Sequence, residues 1–357
     1  MSARFYPLVV AEIVPETAEA NSIRFEITEE LQRTFAFRAG QHLTLKADID
    51  GEEVRRSYSL CTAPDEQDWM VTVKRIAGGV FSNWVGDMLK PGDTLDVMPP
   101  HGSFTTGFDA ARRRQLVGIA GGSGITPVMS LLRTTLANEP ESRFTLLYGN
   151  RDSSSIIFLD ELANLKDRHM GRLDLHHFLA EEEGDFELFN GMLDRARCDE
   201  AIEHLIGEPG SVDGWFICGP GAMMDAAEAA LTGRGVERER IHIERFTADR
   251  PPESLVKEMA ELQSKAAGIM MSVTLDGRTR RVEFTAANIL DSAREAGLPA
   301  PFACKAGVCA TCRARVTGGK VEMAARYGLT DEEVEAGYVL TCQSVPAGDG
   351  VAVDYDA

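Results

Sequence analysis

A chain of 357 residues, with 44% hydrophobic and 26% charged side chains, is long enough for two or three soluble domains. Apolar runs such as Leu8 to Val10 and Ile269 to Met271 are too short to span a membrane. No basic segment followed by a long apolar core opens the chain, so a cytoplasmic protein is expected. The formal net charge of −19 sets aside nucleic acid as a partner, because two polyanions repel; whether that charge steers docking onto a basic patch or only keeps the protein soluble stays open.

Residues 1–104 read as short strands between turns: Ser22 to Ile27, His42 to Ala47, Met70 to Ile76 and Thr94 to Met98, with Pro91-Gly92-Asp93 as a turn. Alternation without long helices predicts an antiparallel β-barrel. Arg56-Ser57-Tyr58-Ser59 ends one strand. Tyr58 offers a flat ring to stack on an isoalloxazine, Arg56 a partner for phosphate, and Ser59 a hydroxyl to orient a hydride path at the flavin edge. Lys74-Arg75 and then Gly78-Gly79-Val80-Phe81-Ser82-Asn83 follow. Small residues ahead of a helix let backbone N–H groups meet a pyrophosphate; a plain turn is the alternative. His101, in Pro99-Pro100-His101-Gly102, reads as loop structure.

Over residues 105–247 apolar strands alternate with helices. The strands are Leu116 to Ala120, Phe144 to Tyr148, Leu173 to Leu179, Trp215 to Cys218 and Ile241 to Ile243. Val128, Leu131, Leu132 and Leu136 recur at helical spacing, which predicts an α/β domain with a parallel sheet. Gly121-Gly122-Ser123-Gly124-Ile125-Thr126-Pro127 links the first strand to that helix and can seat a dinucleotide phosphate through Gly122, Gly124, Thr126 and Pro127. Cys218-Gly219-Pro220 ends another strand, where ligands bind in such sheets; Cys218 lies beside a nicotinamide or is simply a buried strand cysteine. Arg151, in Tyr148-Gly149-Asn150-Arg151, pairs with an adenosine 2′-phosphate or is an ordinary surface arginine.

Residues 248–268 read as a linker, with Pro251-Pro252 breaking the preceding element and a polar helix over Glu253 to Lys265. Residues 269–357 open with a hairpin, Met271 to Leu275 and Thr279 to Phe284 around Asp276-Gly277, and then a helix from Ala286 to Ala296. Four of the seven cysteines lie beyond residue 300. Cys304, Cys309 and Cys312 have C-x4-C-x2-C spacing, and Cys342 follows thirty residues later, as for a plant-type [2Fe–2S] cluster. Zinc sites favour two close pairs, which is another spacing. Cys61 and Cys198 are not needed. The run Asp331-Glu332-Glu333, with Glu335, is either a patch for docking a basic partner or an ordinary helix start.

Taken in order, RSYS, GGVFSN, GGSGITP, CGP and FACKAGVCATC resemble the ferredoxin–NADP reductase superfamily fused to a plant-type ferredoxin, over nearly the whole chain. The resemblance implies FAD on an antiparallel barrel (1–104), NAD(P)H on the sheet domain (105–247) and one [2Fe–2S] cluster in an α+β β-grasp domain (269–357). It also implies that Glu244 and Phe246 approach the flavin. Lys305 stands where ferredoxins often have arginine. NADPH is expected over NADH, because Arg151 follows the second strand and no acidic residue takes its place, although Asp152 could turn towards a ribose. Tyr58, Ser59 and Cys218 are the expected catalytic residues. Nicotinamide gives electrons in pairs and the cluster takes them singly, so a flavin must stand between them. The expected acceptor is a di-iron or Rieske oxygenase. A free-standing reductase of a soluble ferredoxin or small molecule, and a redox sensor without turnover, are the competing readings.

Overall fold

The computed structural model describes residues 4–246 and 253–357; the expected helix breaker Pro251-Pro252 lies outside them. The chain forms two compact units. The larger runs from Tyr6 to Glu244 apart from Arg55–Ser57, and the smaller is built on Arg245–Ala357.

The larger unit begins with six strands: β1 (Tyr6–Thr17), β2 (Ala20–Glu26), β3 (His42–Ile49), β4 (Glu52–Ser59), β5 (Trp69–Lys74) and β6 (Thr94–His101). They form one sheet in the order β4-β3-β6-β1-β2-β5. The pairs β1/β2, β1/β6, β2/β5 and β3/β6 are antiparallel. Leu60, just after β4, bridges Val71 of β5, so the two edge strands curl together around Ile23, Phe25, Leu43, Leu45, Val71 and Val97. The twelve-residue β1 has no counterpart among the expected strands. Its inward alternation, Leu8 and Val10 buried, breaks down at the register shifts near Val10–Glu12 and Pro15–Thr17. Helix α1 (Val80–Met88) starts directly after Gly79 and buries Phe81, Ser82 and Val85.

The remainder of this unit is a five-stranded parallel sheet, β7 (Gln115–Gly121), β8 (Arg143–Asn150), β9 (Leu173–Leu179), β10 (Gly214–Cys218) and β11 (Ile241–Glu244), in the order β11-β10-β7-β8-β9. Helices α2 (Ile125–Asn138), α3 (Leu159–Arg168), α4 (Arg195–Ala201) and α5 (Gly221–Gly233) connect the strands. The chain leaves β7 towards β8 on one side and reaches β10 on the other, so a switch point falls between β7 and β10, where open α/β sheets bind ligands.

The smaller unit contains α6 (Glu253–Ala266), the hairpin β12 (Met270–Leu275) and β13 (Arg278–Glu283), α7 (Ile289–Glu295), β14 (Arg313–Gly318), β15 (Val321–Met323), α8 (Asp331–Glu335), β16 (Tyr338–Leu340), β17 (Ser344–Pro346) and β18 (Ala352–Asp354). Its main sheet is mixed, β13-β12-β18-β14-β16, with β12 and β18 parallel. This is the β-grasp arrangement, with Ile289, Leu290 and Ala293 of α7 in the core. Helix α7 starts three residues later than its apolar pattern suggests. The Asn288 side chain caps it by accepting from Asp291 N–H, and the Ser292 hydroxyl takes the Thr285 and Ala286 N–H groups instead.

One buried ion pair ties the start of the parallel sheet to the end of α2. Arg114 donates to both carboxylate oxygens of the fully buried Glu139, at 3.0 and 2.6 Å, and Ser142 Oγ and Asp109 N–H donate to the same group. Burial pushes that carboxyl up, but these four donors outweigh it and hold it below the ordinary carboxylate range. Replacing Glu139 with Gln leaves the Arg114 charge uncompensated and should cost about 3 kcal/mol, read as a lower melting temperature. With a depressed folded pKa, the contribution is complete above the ordinary carboxylate pKa and fades as the pH falls through the folded one. Wild type and Glu139→Gln should therefore converge in acid; a constant gap across pH would refute this account.

Candidate functional site

The C-terminal ends of β7 and β10 meet backbone to backbone. A Cβ on Gly124 would lie 2.1 Å from the Cys218 carbonyl oxygen and 2.7 Å from Gly219 N. One on Gly219 would lie 2.9 Å from Gly121 N, and one on Gly121 would lie 2.6 Å from Pro220 Cδ. No residue but glycine fits this contact, so both motifs are parts of one crevice. Gly122 takes a left-handed φ of 51°, and its carbonyl accepts from Tyr148 Oη at 3.0 Å. Thr126 Oγ1 donates to Ser123 O, and Pro127 sits in the first turn of α2, where its missing N–H costs nothing. The N–H groups at the head of α2 lie on the switch-point side, as an anionic ligand requires.

Lys74, at the end of β5, brings Nζ to 3.8 Å from where a Cβ of Gly122 would be, so an ammonium overlies the glycine turn. Cys218 is fully buried at the end of β10; burial, and then the Glu244 charge beside it, push its thiol well up. The parallel register pairs Cys218 with Glu244 of β11. Arg151 follows β8 and is exposed. Its Nε donates to Asp152 Oδ2 at 2.9 Å, and Glu19 lies 3.9 Å from Nη1. Asp152 is occupied within its own turn: Oδ1 accepts from Ser155 N–H and Ser154 Oγ, and these partners with Arg151 hold the carboxyl down to about 2.

On the antiparallel sheet, Tyr58 and Ser59 close β4. The half-buried Tyr58 ring lies 5.8 Å from that of Phe81, tilted 35°. Arg56 is exposed on the same strand, its Nη1 donating to Arg55 O, and Ser57 is half-buried. Gly79 forms the N-cap of α1. A Cβ there would come within 2.6 Å of Ser82 Oγ, which accepts from Ile76 N–H. The first-turn N–H groups of α1, beginning with Val80 and Phe81, have no partner within the helix. An aromatic ring next to a glycine-capped helix start suits a flavin carrying a pyrophosphate.

Ser59 Oγ donates to Glu244 Oε2 at 3.2 Å, and His42 Nδ1 lies 3.8 Å from Glu244 Oε1. His42, at the start of β3, is 6% exposed, and its Nε2 is buried without a hydrogen-bond partner among the described residues. This Ser59–Glu244–His42 chain links the end of β4 to the end of β11. His42 has no motif around it, and nothing in the spacing ties it to residue 244. Phe246 belongs to the smaller unit and is 39% exposed.

In the smaller unit the four cysteines come together, and the thiols shift one another chiefly in two pairs, Cys304 with Cys309 and Cys312 with Cys342. Cys309 Sγ also lies 3.2 Å from Thr311 Oγ1. The Cys309 hydrogen bond, followed by the Ala306, Val308 and Cys309 N–H groups, pulls the Cys304 thiol down to about 5. Cys312 likewise lowers Cys342, while the donor thiols Cys309 and Cys312 are pushed up. Ala306 N–H donates to Cys304 Sγ at 3.3 Å and Cys304 N–H to Cys309 Sγ at 3.5 Å. Among the described residues no three ligating side chains converge on a single ion. Two pairs are what two irons with two thiolates each require, so the residues fit a binuclear cluster rather than a lone metal. Backbone shape supports this: Lys305, Gly307 and Ala310 all have φ between 51° and 77°, which turns successive N–H groups inward.

The remaining cysteines are apart from this site. Cys61 donates to Met70 O, with burial pushing its thiol up to about 12, and Cys198 is buried in α4. The acidic run 331–335 is α8, capped by Thr330. Glu333 pairs with Arg313, and Asp331 lies 3.1 Å from Arg326. Two of its four carboxylates are thus engaged inside the unit, and the helix-start reading is the one the contacts favour. No helix among the described residues is long and apolar enough to cross a membrane.

Three family models match the chain in order: an oxidoreductase FAD-binding domain over residues 7–106, an oxidoreductase NAD-binding domain over 119–229, and a 2Fe-2S iron-sulfur cluster binding domain over 273–347. The chain is 44% identical to a component of the 1,2-phenylacetyl-CoA epoxidase of Escherichia coli (strain K12), over 99% of this chain and 98% of that one. It is 35% identical to the ferredoxin reductase component of 3-ketosteroid-9-alpha-monooxygenase from Rhodococcus rhodochrous, over 98% and 96%. Phthalate dioxygenase reductase shares the fold across 98% of both chains, with a TM-score of 0.59 at 23% identity. Sequence order, crevice, flavin platform and cysteine pairs agree with these matches: the chain belongs to the ferredoxin–NADP reductase superfamily, in the branch that carries a fused plant-type [2Fe–2S] domain.

Proposed function

We propose that this protein is the reductase component of an oxygenase system, taking electron pairs from NAD(P)H and delivering them singly to an oxygenase. The observation that carries this reading is the convergence of Cys304, Cys309, Cys312 and Cys342, with backbone N–H groups donating to the Cys304 and Cys309 sulfurs, in a chain that also bears a switch-point crevice and an aromatic flavin platform. When bound, FAD exchanges electrons in pairs with a nicotinamide and singly with an iron–sulfur cluster. Arg56, Ser57, Tyr58 and Ser59, with Lys74 and Gly79–Ser82, would hold the flavin: Tyr58 by stacking, the α1 head by N–H donation. Ser59 is oriented by Glu244, which His42 backs from the other side. Gly122, Gly124, Thr126, Pro127, Gly219 and Pro220 would bind the nicotinamide cofactor, and Cys218 would border its ring. Free thiols and a thiolate-bound cluster suit the reducing cytoplasm. We divide the chain at 1–104, 105–247, 248–268 and 269–357, with 248–268 joining the second and third domains and its helix α6 packing Ala266 into the smaller unit's core.

Purified protein should contain one FAD and two irons per chain. Chromatography of the released flavin decides between FAD and FMN, and FMN at full occupancy would sink the FAD assignment.

Cys309→Ser removes one ligand and leaves the larger unit's residues untouched. Iron should be lost and flavin retained. Ferricyanide reduction by NAD(P)H should persist, and transfer to cytochrome c should fall by roughly two orders of magnitude or more, because the single-electron path is cut. Undiminished transfer without iron would overturn the proposed route.

For cofactor choice we propose NADPH over NADH. Asp152 is occupied by its own turn and Arg151, which leaves it poorly placed for a ribose diol, while Arg151 offers a guanidinium at the end of β8. Arg151→Ala should raise KM for NADPH about tenfold or more, the worth of a charge-assisted hydrogen bond, with little change for NADH. Equal effects on both cofactors would remove Arg151 from 2′-phosphate recognition.

A further inference from the structure

Gln343 follows the fourth cysteine, and its side chain reaches back across the loop that carries the first three. Nε2 lies 2.9 Å from Lys305 O, 3.0 Å from Cys342 O and 3.6 Å from Cys342 Sγ. All three neighbours are acceptors, which settles the orientation of the amide: the nitrogen, not the oxygen, faces them. Room for this crossing comes from Gly307, where a Cβ would lie 2.9 Å from Gln343 Cγ; its φ of 77° is one that side chains other than glycine rarely take.

The acceptor residue is itself held at its other end. Lys305 has a left-handed φ of 52°, an unusual conformation for a residue with a Cβ. Its Nζ pairs at 2.6 Å with Asp291, in the first turn of α7, and lies 5.0 Å from the Phe302 ring. Asp291 is fixed in turn by Asn288, which accepts from its N–H and donates to its Oδ2. Helix α7, the Cys304 loop and the Cys342 segment are therefore joined through one lysine and one amide, although 38 residues separate Lys305 from Gln343.

We infer that Gln343 is a positioning residue of the iron–sulfur site: its amide tethers the Cys304 loop to the Cys342 segment and donates an N–H towards Cys342 Sγ. This rests on the reading that Cys304, Cys309, Cys312 and Cys342 hold the cluster. N–H donation to a ligand sulfur stabilises the more negative, reduced state and so raises the reduction potential. The tether holds both segments in register, which slows opening of the loop and escape of iron.

The test is a redox titration of the holoenzyme, followed by electron paramagnetic resonance, together with iron release to a chelator. Gln343→Met is neutral, similar in length and has no donor. Gln343→Lys keeps N–H donors. The cluster potential should fall in the Met variant and return to wild type or above in the Lys variant, with the flavin potential unchanged in both. Iron release from the Met variant should speed up about tenfold, the loss expected for one or two hydrogen bonds. If the Met variant takes up no iron while the Lys variant loads and titrates at or above wild type, the tether is supported. A wild-type potential and release rate in the Met variant, or a Lys variant that fails alongside it, overturns the role of Gln343 while leaving the cluster assignment intact. Wild-type protein that binds no iron when all four cysteines are present would instead overturn the cluster reading, and this inference with it.

Discussion

The crevice of the larger unit depends on a contact between two backbones. Gly124 approaches the Cys218 carbonyl so closely that a methyl group would sit 2.1 Å from the oxygen. Close-packed interiors do not absorb such an overlap, so the strand ends of β7 and β10 can take this separation only with glycine there. The crevice at the switch point is consequently walled largely by main chain, with the Met223 and Pro220 side chains packed against its glycines. The head of α2 and the buried Cys218 thiol meet at that contact, and the Lys74 ammonium reaches Gly122 from β5 of the antiparallel sheet.

The cysteine site answers to a different constraint. Thiolates in a protein interior are costly unless hydrogen bonds and metal offset the charge. The chain supplies the hydrogen bonds before any metal arrives, through the left-handed turns at Lys305, Gly307 and Ala310 and the N–H groups they aim inward. Gly328 completes the packing: a Cβ there would meet Ala310 N and Val308 O at 2.9 Å, so the segment after β15 lies directly against the loop. Preorganisation of this kind lowers the cost of assembling two irons on four sulfurs from distant parts of the sequence.

Polar groups in the larger unit follow the same economy. Glu139 is fully buried, and four donors satisfy its carboxylate. Glu244 is shared between Ser59 and His42, while His42 Nε2 is left over. A saturated carboxylate serves stability. Glu244 has no such saturation among the described residues: its two partners, Ser59 and His42, stand 3.2 and 3.8 Å away.

Much of this was legible in the linear sequence because the signals are local. The spacing of Cys304, Cys309 and Cys312, the glycine turn between an apolar run and a helical one, and the parallel strands as uninterrupted apolar runs each depend on neighbours a few residues apart. Family matches over 7–106, 119–229 and 273–347 follow the same order of motifs. Strand β1 escaped because its register shifts spoil the alternation, and β15 to β18 because three residues are too few for a periodic pattern. Helix α7 began late because a cap competes with apolar periodicity for its first turn. Tertiary structure alone decided which carboxylate meets Ser59, that His42 stands behind it, that Gly124 and Cys218 press together, and that Gln343 reaches Lys305. Each of those contacts joins residues from 38 to just over two hundred positions apart, and no local pattern records a distance that only the folded chain closes.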